Sequence, residues 1–418
     1  MVNSICGDFI QAHLHINRSE AEWEAEIYRL KALGVEYIII DTIGRTSEKQ
    51  GGKWRVNYDS ELPELTGDNC AISNPKLLDT TLAIFEKHGI KCFVNMGDYT
   101  DWWHMGGWGN SYIEHCEISA KAAVELYDKY KAKYPNAFHG FYWCIEFYNN
   151  IIYTAPFVKK LSKGMNIVVD AITSKDPTLP LLMSPFHTEY MLATSLRGAE
   201  RFWNGMFKNI HFRKGDIFCP QDAVGAGWTR LKNLEAVTKM YKRVVENCGK
   251  GLRFWSNCEN FTQCHTGKFL LPKKTENTVF ITSTLDRFIT QIETVSPYVE
   301  KIISFSLSHY YSAVVGYEDY YNALLHYLKT GNRPTDSPVW VTKGIKDAES
   351  KQISWQMPET SHGVAYFRIT KNNSFLLRID RNENKINCEL SDSLMQPENY
   401  YEITAVDVWG NKSEALKI

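Results

Sequence analysis

The sequence predicts an eight-fold (β/α) barrel, an α/β TIM barrel, over residues 1–334, followed by a small all-β sandwich over 338–418. Three observations carry this. Eight short apolar runs alternate with amphipathic stretches. The alternation exceeds the roughly 250 residues that such a barrel usually needs. Beyond Thr335 the pattern changes to short runs separated by turn residues, with Asp336, Ser337 and Pro338 as the linker.

The eight runs are 8–11, 37–41, 91–95, 140–145, 181–184, 216–219, 253–257 and 301–306. Each is apolar and bounded by polar, Gly or Pro residues, as parallel strands buried on both faces should be. Between them, Ala21, Trp23, Ile27, Leu30 and Leu33 mark one face of a helix that stops at Gly34. A second helix opens at Asn74-Pro75, runs to His88 and stops at Gly89, and a third apolar stripe covers 231–247. No G-x-G-x-x-G opens a helix after the first strand and no P-loop motif is present, which argues against an open dinucleotide- or nucleotide-binding sheet. The short runs of the second region are 339–341, 352–356, 363–369, 374–379, 387–390 and 400–406. The stretch 400–414 resembles the last strands of fibronectin type III modules, so the sandwich is expected to be of that kind.

With 47 basic and 48 acidic residues the formal charge is −1, which supplies no general field for nucleic acid or anionic lipid. No run approaches the roughly 20 apolar residues of a membrane span. The first eleven residues lack the basic and apolar regions of a signal peptide, so a cytoplasmic protein is expected, with the periplasm or exterior the alternative if a leader has been removed. Ten cysteines without a C-x-x-C pair read as buried free thiols in a reducing compartment.

In such barrels chemistry sits at the carboxyl ends of the strands. There this chain offers Gln11, His13 and His15 after the first strand, Asp41 at the second, and Asn95 with Asp98, Tyr99, Trp102 and Trp103 at the third. Glu146 follows the fourth, His187 and Glu189 the fifth, Gln221 and Asp222 the sixth, Asn257 and Glu259 the seventh, and His309 and Tyr310 the eighth. Glu146 follows Phe141-Tyr142-Trp143-Cys144-Ile145, an apolar and aromatic setting that disfavours a charged carboxylate and suits a general acid. Glu259 lies on a strand nearly opposite, and Asp222 is its rival as the second carboxylate of a glycosidase pair. Trp102, Trp103 and Trp108 could stack on sugar rings, whereas Tyr142, Trp143, Trp203 and Trp255 read as core. His13-x-His15 with His187 suggests a metal centre, but Gln221 and Asp222 replace the strand-six histidine and Ser308-His309 the strand-eight aspartate; no metal or cofactor is expected.

The motifs 7–11, 143–146, 221–227, 255–261 and 305–310 together resemble the bacterial domain-of-unknown-function family 4434, glycosidase-like barrels often joined to a fibronectin-like domain. The resemblance implies a carbohydrate-active role carried on Gln11, Glu146, Gln221, Asp222, Glu259, His309 and Tyr310. The expected function is a glycoside hydrolase acting on an oligosaccharide, with Glu146 as acid/base and Glu259 as nucleophile or base. A carbohydrate-binding barrel without turnover and a metal-dependent amidohydrolase-like enzyme are the alternatives.

Overall fold

The computed structural model describes residues 5–46, 51–99, 111–150, 153–190, 193–265, 278–382 and 385–418. Eight parallel strands close into a barrel: β1 (Ile5–Ile10), β2 (Tyr37–Ile40), β3 (Lys91–Asn95), β4 (Phe138–Trp143), β5 (Leu181–Met183), β6 (Ile217–Phe218), β7 (Arg253–Glu259) and β8 (Lys301–Phe305). Each pairs with its neighbour in sequence, and β1 closes the ring against β8 through Gly7↔Ile303 and Asp8↔Ser304. A Cβ on Gly7 would stand 2.5 Å from Cγ2 of Ile303 and 3.1 Å from the Tyr37 carbonyl, so glycine sets how closely β1 is clasped there.

The strands alternate with helices α1 (Glu20–Ala32), α2 (Leu77–His88), α3 (Ser111–Leu126), α4 (Ala155–Lys175), α5 (Leu196–Asn209), α6 (Leu234–Cys248), α7 (Leu285–Val295) and, after β8, α8 (Glu318–Thr330). Local chemistry fixes their ends. Ser19 and Glu22 form a reciprocal capping box at the start of α1, and α2 stops at Gly89 with φ +69°. The stripe at 231–247 begins as a 3-10 turn, Leu231–Asn233, and becomes α-helical only from Leu234.

The sequence reading missed one feature of the barrel. Ile43–Arg45, Trp54–Val56, Cys70–Ser73 and Asp98–Tyr99 form a small accessory sheet after β2 and β3. Strands of two to four residues carry too little alternation to be read.

The all-β region has a three-stranded sheet of β9 (Ile345–Asp347), β10 (Gln352–Ser354) and β13 (Glu389–Ser391), and a four-stranded sheet of β11 (Val364–Lys371), β12 (Ser374–Asp380), β14 (Tyr401–Asp407) and β15 (Leu416–Lys417). Both are antiparallel around a core of Ile353, Trp355, Phe367, Ile369, Tyr401 and Ile403. The run at 339–341 is no strand but one isolated bridge, Val339↔Glu359. Strands β9 and β15 went unread, β9 because Ile345 and Asp347 are exposed and give no apolar face.

Two compact units emerge. The described residues of Met1–Glu259, His265–Asn277 and Gln291–Ser306 form the first; those of Asn260–Cys264, Thr278–Thr290 and Leu307–Ile418 form the second. Within the second, α8 is bound to the all-β region: Arg381 pairs with Asp319, the rings of Tyr327 and Trp409 lie 5.8 Å apart, and Asn411 donates to the Pro334 carbonyl at 3.1 Å. None of the described helices is long and apolar enough to cross a membrane. All ten cysteines are free thiols.

Candidate active site

The barrel interior sets the rim. Phe9, Ile39, Phe93, Tyr142, Leu182, Cys219, Trp255 and Ile303 form one inner cluster. Side chains on a strand alternate, so the next inward position lies two residues on. These positions are Gln11, Asp41, Asn95, Cys144, Ser184, Gln221, Asn257 and Phe305, a rim that is mostly polar above an apolar plug. One further step along β7 brings Glu259, and Glu146, three residues beyond the end of β4, meets the rim through Gln221. Tyr142, Trp143, Trp203 and Trp255 are buried, as core residues should be.

On the β1–β3 side, Nδ1 of His13 lies 3.0 Å from Oδ2 of Asp41, and Arg55 donates to the same oxygen at 3.3 Å. Asn95 donates from Nδ2 to the other Asp41 oxygen at 2.8 Å. Its own Oδ1 accepts the N–H groups of Thr42 and Ile43, both at 2.8 Å, so Asn95 locks the chain as it leaves β2. Asp98 pairs through its backbone with Gly44 of the accessory sheet. His15 turns away from His13, buried against the edge of Trp23, with its pKa pushed down to about 3 by burial and by the charge of Arg18.

On the β4–β6 side, Gln221 donates from Nε2 to Glu146 at 2.6 Å and to the Ser184 carbonyl at 3.0 Å. Asn257 donates to the Ser184 hydroxyl at 3.2 Å. Burial pushes the Cys144 thiol and the Tyr142 phenol well up, and the charges of Asp98, Asp41 and Glu146 add to it in both. Those three carboxylates therefore share one part of the mouth.

On the β6–β7 side, Glu259 is the last residue of β7 and 2% exposed; its Oε2 accepts the Ala226 N–H at 2.7 Å. Asp222, 4% exposed, accepts the N–H groups of Val224 at 3.1 Å and Glu259 at 3.3 Å through Oδ1, and Gln291 of α7 at 2.5 Å through Oδ2. Gln291 also donates to the Glu259 carbonyl at 2.9 Å. Both Asp222 oxygens thus serve the frame that holds Glu259.

The other candidate residues scatter. His187 is buried, and burial holds its pKa down to about 4, while Glu189 lies further out beneath Arg230. His309 and Tyr310 belong to a short helical turn, Leu307–Tyr310, in the second unit, where Tyr310 packs on Phe261 at 5.6 Å. Trp102, Trp103, Trp108 and the side chain of Tyr99 lie outside the described residues. Among the described residues no three His, Cys, Asp or Glu converge as a metal-binding group. A pocket of about 690 Å³ at α3 is lined by Glu61, Leu62, Lys121, Val124 and Glu125 and includes no residue of the rim.

The family described as a domain of unknown function, DUF4434, matches residues 5–314. The chain belongs to this family. No curated protein matches its sequence. A candidate alpha-L-fucosidase from Bacteroides thetaiotaomicron VPI-5482 superimposes with a TM-score of 0.62 at 21% identity, over 78% of this chain and 94% of that one. An endo-1,4-beta-D-mannanase from Thermotoga petrophila RKU-1 gives 0.46 at 11% identity over 73% and 88%, and a beta-glucuronidase from Bacteroides uniformis 0.44 at 10% over 100% and 45%. The first likeness is one of fold; the other two are too distant to carry an argument.

The DUF4434 barrel also uses residues that the sequence reading did not single out. Ser184 could have been found by stepping two residues on from Leu182. Arg55 and Gln291 could not, since they reach the site from the accessory sheet and from α7.

Proposed function

We propose that this barrel is a glycoside hydrolase in which Glu146 is the acid/base and Glu259 its ionised partner. The observation that carries the reading is the pair itself: Glu259 at the end of β7, and Glu146 just beyond β4, hydrogen-bonded to the rim residue Gln221. Membership of DUF4434 and a fold shared with a candidate fucosidase support it.

Glu146 protonates the glycosidic oxygen as the bond to the anomeric carbon breaks. Glu259 supplies the electron pair on the other face, either directly to the anomeric carbon or by taking a proton from water. Gln221 fixes the Glu146 carboxyl, and the Ala226 N–H fixes Glu259. Asp222 is a positioning residue, because both its oxygens are occupied in holding Glu259 and the loop beside it. The all-β region, with its three- and four-stranded sheets, fits a fibronectin type III-like brace.

The test is turnover of aryl glycosides. Glu146→Gln and Glu259→Gln should each lower it by about three orders of magnitude or more with the fold intact. An activated leaving group should rescue the first step in the Glu146 variant and not in the Glu259 variant. Unchanged turnover in both variants would refute the mechanism, and loss in Asp222→Asn alone would move the second carboxylate to β6.

A further inference from the structure

The carboxylate pair leaves unused a second polar group on the same rim. Asp41 is its hub, receiving Asn95 on one oxygen and both His13 and Arg55 on the other. A histidine tied to a carboxylate through Nδ1 has its ring rotation fixed and presents Nε2 in a set direction. His13 keeps 27% of its side chain exposed, and Asp41 and Arg55 keep 21% each, so the group is open to solvent, unlike the positioning residue Asp222. It is also close to the proposed acid, since the charges of Asp41 and Glu146 both bear on Tyr142 and Cys144.

Charge narrows the ligand. Asp41 and Asp98 lie in this part of the mouth beside the acid Glu146; Arg55 is engaged by Asp41, and Arg45 points its Nε to the Gly52 carbonyl. A carboxylated or sulfated sugar would meet that negative charge, whereas a neutral polyol needs only the acceptors and donors that are present.

We propose that His13, oriented by Asp41, is the recognition point for an uncharged sugar ring, its Nε2 hydrogen-bonded to a ring hydroxyl. The proposal deepens the glycosidase reading and rests on it for the ligand being a sugar. His13 touches the ligand; Asp41 is a positioning residue.

The experiment is imidazole NMR on the full chain, titrated with D-glucose, D-galactose, D-mannose and L-fucose, and with D-glucuronate and D-galacturonate. At least one neutral sugar should shift the His13 Nε2 resonance, and the uronates should bind at least about tenfold more weakly. His13→Ala should weaken that sugar about tenfold, as the loss of one hydrogen bond does, with the thermal midpoint unmoved. Asp41→Asn should alter the His13 Nδ1 resonance before any sugar is added. A panel in which no neutral sugar shifts His13, an affinity unchanged in His13→Ala, or tighter binding of a uronate overturns the proposal. Failure of the glycosidase reading shows separately, in the turnover of the Glu146 and Glu259 variants.

Discussion

The two sides of the barrel mouth are built on opposite plans. Around β6 and β7, Asp222 and Gln291 are buried and hold the backbone on either side of Glu259, so these side chains serve the shape of the chain. Around β1 to β3, Asn95 does the same work, but Asp41 and His13 bond mainly to other side chains and stay partly exposed. A carboxylate that accepts several buried N–H groups, as Asp222 does, is costly to disturb; one that orients a neighbour at the surface is cheap to remove.

Acid should produce the largest effect. His15, His115, His139 and His187 have their pKa values held down by burial, to about 3 for the first and about 4 for the others. Between pH about 6.5 and 4 the unfolded chain therefore takes up protons that the fold refuses. Stability from these groups is complete above the ordinary histidine value and falls as pH drops, by up to about 1.4 kcal/mol per pH unit for each. Urea midpoints at pH 7 and pH 5 read this directly, and His187→Gln should flatten the slope. A midpoint that rose on acidification would contradict it.

Substitutions sharpen the contrast further. Asp222→Ala strands Gln291 and two backbone N–H groups in a buried site and should cost about 3 kcal/mol in denaturant unfolding. Asn95→Ala should cost about 2 kcal/mol, since two buried N–H groups lose their acceptor. His13→Ala should stay within about 0.5 kcal/mol of the parent. Were His13→Ala as damaging as Asp222→Ala, the two sides would share one plan.

The barrel was legible because parallel strands buried on both faces must be apolar along their length: Tyr37–Ile40 and Lys91–Asn95 stand out from their surroundings. Glu146, Gln221 and Glu259 were legible as polar residues just beyond such runs. What the sequence hid was commitment. Asp222 and Asp41 look alike as strand-end aspartates, and only Gln291, 69 residues away, and Arg55, from the accessory sheet, reveal that one is a fastening and the other a hinge for a histidine. Long-range partners leave no periodic trace in the local pattern.

The foot of the barrel carries one more consequence. Tyr37 lies with Trp255 at 5.0 Å, His139 at 5.7 Å and Phe93 at 6.3 Å, and the ammonium groups of Lys301 and Lys91 approach its ring at 4.9 and 5.5 Å. These residues close the amino-terminal end and continue into the packed inner cluster, so only the carboxyl-terminal rim is open to a ligand. If the proposed hydrolase reading holds, substrate and product share one entrance, so a product that leaves slowly would inhibit the next turnover.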